Sequence, residues 1–129
     1  MIKEFGGVNL VSWDIRKAVE FYRDILKIPV LGADYLGSPD AGASENPDLM
    51  DGIELGFIKG APHLWIWDEK KWGRVCKGNV NLVFNAEDLD ALYNYLKEQG
   101  VDCDPPVTME WGGSELRVTD PDGNVLTIL

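Results

Sequence analysis

The period of the apolar residues changes along this chain in an order that occurs twice. Residues 8–28, VNLVSWDIRKAVEFYRDILKI, open with a mostly apolar strand at 8–12. Ile15, Ala18, Val19, Tyr22, Ile25 and Leu26 then recur at helical spacing and form one apolar face. Asp14 stands at the start of that helix, where a carboxylate accepts free backbone N–H groups, and Pro29 ends it. Residues 80–101, VNLVFNAEDLDALYNYLKEQGV, repeat the plan: Asp88 corresponds to Asp14, and Leu89, Leu92, Tyr93 and Leu96 make the buried stripe. Gly100 serves as the C-terminal cap. Each copy runs into a hairpin, at 52–67 and at 114–129. Strands are predicted at 30–36, 53–58, 63–67, 79–85, 114–119 and 124–129, with turns at 59–62 and 120–123. The repetition predicts an α+β fold of two βαβββ modules, 1–68 and 78–129, joined by a linker at 69–77 in one domain.

Residues 37–51, GSPDAGASENPDLMD, lack apolar periodicity and read as a long loop, whose place between two strands suits a lid. The chain has 129 residues and the aromatic content of a globular protein. No apolar run approaches the ~20 residues of a membrane span, and MIKEFGG holds no apolar core of a signal peptide. A cytoplasmic location and no membrane partner are expected. Cys76 and Cys103 make no metal-type spacing and read as free thiols. The net charge of −10 argues against nucleic acid, whose phosphates it repels, and is compatible with a cationic small ligand.

Asp14, Phe21-Tyr22 and Leu26, together with Trp111-Gly112 and the run from Glu115 to Asn124 that holds DPDGN, resemble the vicinal-oxygen-chelate superfamily. Its members include glyoxalases, extradiol dioxygenases, and fosfomycin- and bleomycin-resistance proteins. The resemblance covers essentially the whole chain. It implies that each module curls into half of an incomplete barrel around a central cavity, and that the protein is a homodimer. Lys27 departs from the glycine that the family often places there, which bears on how the helix ends. Metal-dependent members carry a ligand on the first and last strand of each module. The matching positions here are Gly7, Trp65, Asn81 and Thr127. Glycine and tryptophan offer no suitable donor atom, and asparagine and threonine are weak ligands, so no metal and no cofactor are expected.

Strand alternation turns Gly7, Asn9 and Val11 toward the cavity, with Asn79, Asn81, Val83 and Asn85 on the second module. His63, Trp65 and Trp67 point the same way, as do Glu115, Arg117 and Thr119. Buried amides without partners are costly, so inward asparagines imply water, a ligand or a polar network. The ligand-binding candidates are Asn9, His63, Trp65, Trp67, Asn79, Asn81, Trp111, Glu115, Arg117 and Thr127. Such a lining suits a planar or cationic organic molecule stacked on indoles. The alternative is that Trp65 and Trp67 fill the barrel and Glu115 pairs with Arg117. The resulting expectation is a metal-independent small-molecule-binding protein similar to the bleomycin-resistance branch. Its rivals are a glyoxalase-like lyase, isomerase or dioxygenase with unconventional ligands drawn from His63, Glu54, Glu110 and Glu115, and a regulatory module with a vestigial cavity.

Overall fold

The computed structural model describes residues 1, 3, 5–33, 52–57, 61–72, 78 and 80–129. The expected lid at 37–51, the candidate Asn79 and the thiol of Cys76 lie outside the described residues. The chain divides into two compact units, Met1–Lys77 and Gly78–Leu129. Each contains a four-stranded mixed sheet and a helix between its first two strands.

In the first unit, β1 (Gly7–Ser12) leads into α1 (Ile15–Val19), followed by β2 (Val30–Ala33), β3 (Gly52–Leu55) and β4 (His63–Asp68). The sheet order is β1-β4-β3-β2, with β1 parallel to β4 and the other pairs antiparallel. Asp14 caps α1 by accepting from the Lys17 N–H at 3.2 Å. Helix α1 then widens into a π-helical stretch, Glu20–Ile25, closed by the Leu26 N–H donating to the Phe21 carbonyl at 2.9 Å. The wider turn buries both Phe21 and Tyr22, whose rings meet edge to face with centroids 5.0 Å apart. A strict α spacing counts only Tyr22 on the apolar face. Lys27 adopts φ 60°, the left-handed position that glycine favours, while the Ile28 N–H reaches back to the Tyr22 carbonyl at 3.1 Å. The departure noted at Lys27 is thus a side chain held in a glycine conformation.

Along β4, Leu64 and Ile66 are buried, with Leu10 of β1 and Ile53 and Leu55 of β3. These residues form the core with Ile15, Ala18, Val19 and Tyr22. Residues 69–72 of the expected linker form a further helical turn, α2 (Glu69–Trp72), whose Lys70 N–H donates to Asp68 Oδ1 at 3.0 Å.

The second unit repeats the topology with β5 (Asn81–Phe84), α3 (Leu89–Glu98), β6 (Val107–Thr108), β7 (Ser114–Thr119) and β8 (Val125–Ile128), in the order β5-β8-β7-β6. Asp88 caps α3 by accepting from the Ala91 N–H at 3.0 Å. Gly100, at φ 80°, ends that helix. Leu96, Leu116, Val118, Leu126 and Ile128 are its core. The β7–β8 turn is organised by the buried Asp120. Its carboxylate accepts from the Asp122 and Asn124 N–H groups at 2.9 and 2.8 Å and from Asn124 Nδ2 at 2.9 Å.

Both chain reversals give measurable expectations. Lys27→Gly relieves the left-handed strain and raises stability by about 1 kcal/mol, read as a higher urea midpoint. Asp120→Ala strands three donors, one on a buried side chain, and lowers stability by about 3 kcal/mol in the same assay.

Candidate functional site

The face of the first sheet opposite its core gathers most of the first unit's candidate side chains. Parallel register pairs Asn9 with Trp65, and antiparallel register pairs Glu54 with Trp65 and Gly52 with Trp67. Strand alternation therefore places Asn9, His63, Trp65, Trp67 and Glu54 on one side. Three rings are seated on three glycines. A Cβ at Gly7 would collide with the Trp65 ring and the His63 carbonyl, and one at Gly52 with the Trp67 ring. A Cβ at Gly56 would lie 3.3 Å from the His63 ring. Gly7 also has φ 150°, which side chains rarely adopt. The indoles thus lie close against backbone, and Trp67 Nε1 donates to Asn9 Oδ1 at 2.8 Å, which holds that ring in place.

At one end of this row, His63 Nδ1 sits 2.6 Å from Glu54 Oε2, with both side chains largely buried. The His63 ring is tilted 52° to that of Trp65, with centroids 5.6 Å apart. Its other nitrogen, Nε2, is buried and has no hydrogen-bond partner among the described residues.

In the second unit, Thr127 Oγ1 donates to Asn81 Oδ1 at 3.0 Å. Glu115 and Arg117 approach to 3.7 Å, with the guanidinium mostly exposed, a geometry that contributes little to stability. They line a depression of about 350 Å³ with Asp104, Pro105, Val107 and Met109. Trp111 lies over Gly113 in its own loop and is exposed. Burial pushes the Cys103 thiol above its usual range, which disfavours the nucleophilic thiolate.

Of the sequence candidates, Asn9, His63, Trp65 and Trp67 share one face of the first sheet, Asn81 and Thr127 bond each other, and Glu115 and Arg117 pair. Trp111 stands apart from these pairs. Asn9 and Asn81 are exposed rather than buried, so the desolvation cost expected of inward amides does not apply to them. Sequence reasoning places Glu54 only among the unconventional ligands of the enzyme alternative, not as the partner of His63, and does not anticipate the glycine seats. Their signal is the alternation Gly52-Ile53-Glu54-Leu55-Gly56, which puts two glycines and one acid on a single strand face.

Twice-repeated βαβββ units, each with its first strand parallel to its last, define a duplicated α+β architecture. Residues 5–128 match the sequence profile of the Glyoxalase/Bleomycin resistance protein/Dioxygenase superfamily, and the chain belongs to that superfamily. It is 28% identical to the protein YraH of Bacillus subtilis (strain 168) over 123 residues, 94% of this chain and 93% of that one. The antibiotic binding protein TnmS3 from Streptomyces sp. CB03234 has a similar fold, with a TM-score of 0.74 at 22% identity, covering 98% of this chain and 94% of that one. So does a lactoylglutathione lyase from Agrobacterium tumefaciens, with a TM-score of 0.69 at 16% identity, covering 99% and 93%.

The positions that would hold a metal in this superfamily do not fit one. Gly7 has no side chain, the Trp65 ring rests beside it, and the oxygens of Asn81 and Thr127 are engaged with each other. Among the described residues, no three His, Cys, Asp or Glu side chains form a metal-holding group.

The glycine seats can be tested directly. Gly52→Ala pushes a methyl group into the Trp67 ring, and overpacking of this kind costs about 1–3 kcal/mol. The expected result is a lower Tm and a shifted near-UV circular dichroism band from the displaced indole. An exposed glycine with open space around it, Gly112→Ala excepted for its positive φ, provides the control at Gly6→Ala, which leaves both unchanged.

Proposed function

We propose that this chain is a metal-independent small-molecule-binding protein that holds a planar aromatic or cationic organic ligand. The carrying observation is the row of Trp65 and Trp67 indoles seated on glycine, with Trp67 fixed by Asn9. Preformed aromatic faces bind flat or cationic molecules with little ordering cost. The donor-poor positions Gly7, Trp65, Asn81 and Thr127 favour an organic ligand over a cation. A fold shared with an antibiotic binding protein is compatible with this reading. Asn81, Thr127, Glu115, Arg117 and Trp111 are the proposed ligand-facing groups of the second unit, and the proposed assembly is a cytoplasmic homodimer. The charge of −10 favours cationic ligands and disfavours nucleic acid.

The rival reading, a metal-dependent lyase or dioxygenase, has a fold neighbour in the lactoylglutathione lyase but no donor set among the described residues. Titration of the purified protein with acridine orange, bleomycin and 2-naphthol, followed by calorimetry and tryptophan fluorescence, separates the two. At least one probe is expected to bind stoichiometrically, and Trp65→Ala or Trp67→Ala is expected to weaken it about ten-fold. Sedimentation should give a dimer. Stoichiometric uptake of Ni, Zn, Mn or Fe(II) with a raised Tm would overturn the proposal.

A further inference from the structure

We infer that His63 and Glu54 form a proton-accepting hydrogen-bond pair that selects aromatic ligands bearing a ring hydroxyl or ring N–H. This rests on the aromatic-ligand reading above and narrows its ligand class.

The two side chains meet at 2.6 Å on adjacent antiparallel strands, Glu54 on β3 and His63 at the start of β4. A carboxylate oxygen only accepts, so the hydrogen between it and Nδ1 belongs to the imidazole. Glu54 thereby fixes the ring's orientation and its tautomer, as carboxylates do for histidines elsewhere. In the neutral ring this leaves Nε2 with a lone pair. Nε2 is buried and unpartnered among the described residues. Buried polar atoms are almost always satisfied, so an orphan of this kind marks an absent partner. The partner that completes Nε2 of the neutral ring is therefore a donor.

Placement says where that donor comes from. The His63 ring adjoins the Trp65 ring, and its own edge rests on Gly56. A flat molecule stacked on the indole row brings its edge toward the imidazole, and a hydroxyl or N–H on that edge completes Nε2. An aromatic ether or hydrocarbon of the same shape stacks equally well but leaves the acceptor unfilled. A site built to accept a hydrogen bond discriminates against such analogues.

His63 is the single histidine of the chain, so a ring-15N-labelled sample reports one imidazole. At a pH where the imidazole carries one hydrogen, the expected spectrum of the free protein is that of the tautomer with hydrogen on Nδ1. Adding 2-naphthol should move the Nε2 resonance, whereas 2-methoxynaphthalene should not. By tryptophan fluorescence, 2-naphthol should bind about ten-fold tighter than its methyl ether. Glu54→Gln, whose amide can donate as well as accept, should reduce that preference below about three-fold while the ether's affinity holds. His63→Phe should abolish the preference, and the spectrum of the unmutated protein decides the matter should that variant fail to fold. Equal binding of both naphthalenes, or an Nε2 resonance that 2-naphthol leaves in place, would mean that water alone fills the site and would overturn the dyad while the indole row stands. If neither naphthalene binds while acridine orange or bleomycin does, the dyad falls and the aromatic-ligand reading stands; if none of these compounds binds, both fall.

Discussion

The parallel pairing of β1 with β4 is the constraint on which the first unit's surface chemistry depends. Its register runs from Gly7 opposite His63 to Ser12 opposite Asp68. Because side chains alternate, that single choice sends Leu10, Leu64 and Ile66 into the core and Asn9, His63, Trp65 and Trp67 to the other face. A slip by one residue would bury the asparagine and expose the aliphatics, at a cost of several buried side chains. The same register sets Gly7 beside the Trp65 ring, where a larger residue would collide. Core and site are thus two sides of one hydrogen-bonded ladder.

Three polar contacts then decide how much freedom that face retains. Asn9 holds the Trp67 indole, Glu54 holds the His63 imidazole, and Thr127 holds Asn81 on the second sheet. Each joins a side chain to one on another strand, so the contacts tie strands together and also orient the groups they touch. Only the His63 contact leaves a buried atom of the held ring unanswered. Unlike the exposed amides, that atom is buried, and it is the one that the proposed hydroxyl or N–H donor would complete.

The strands and helices were legible because their periods are strong: Ile15 to Leu26 and Leu89 to Leu96 at helical spacing, and alternation in 63–67 and 114–119. The caps at Asp14, Asp88 and Gly100 are local chemistry and occur where expected. The π-helical stretch was not legible, because Phe21 and Tyr22 are adjacent and only tertiary packing rewards burying both. The single turn of α2 carries no apolar period that would set it apart from a linker. Of the site, the indole row followed from alternation alone. The Glu54–His63 contact did not, since it joins residues on separate strands through a register that periodicity leaves open.

The two units fill matching positions on their sheets in two different ways. Trp65 pairs with Asn9 on β1 and Glu54 on β3, and Thr127 pairs with Val83 on β5 and Arg117 on β7. The two positions are therefore topological twins, as are Gly7 and Asn81, which open β1 and β5. In the first unit the twins are a large ring and a residue without a side chain, matched by volume. In the second they are a hydroxyl and an amide, matched by a hydrogen bond. Neither solution leaves a donor free for a cation, and the two are not interchangeable: an asparagine at Gly7 would strike the indole, and a tryptophan at Thr127 would strand the Asn81 carbonyl. Each unit has closed its position with a partner from its own sheet. The neighbouring strands differ as well: the residue beside the first twin is the acid Glu54 and beside the second the guanidinium of Arg117. The two matching sheets thereby present faces of opposite chemistry, an aromatic one with a half-buried acid and a polar one with an exposed cation.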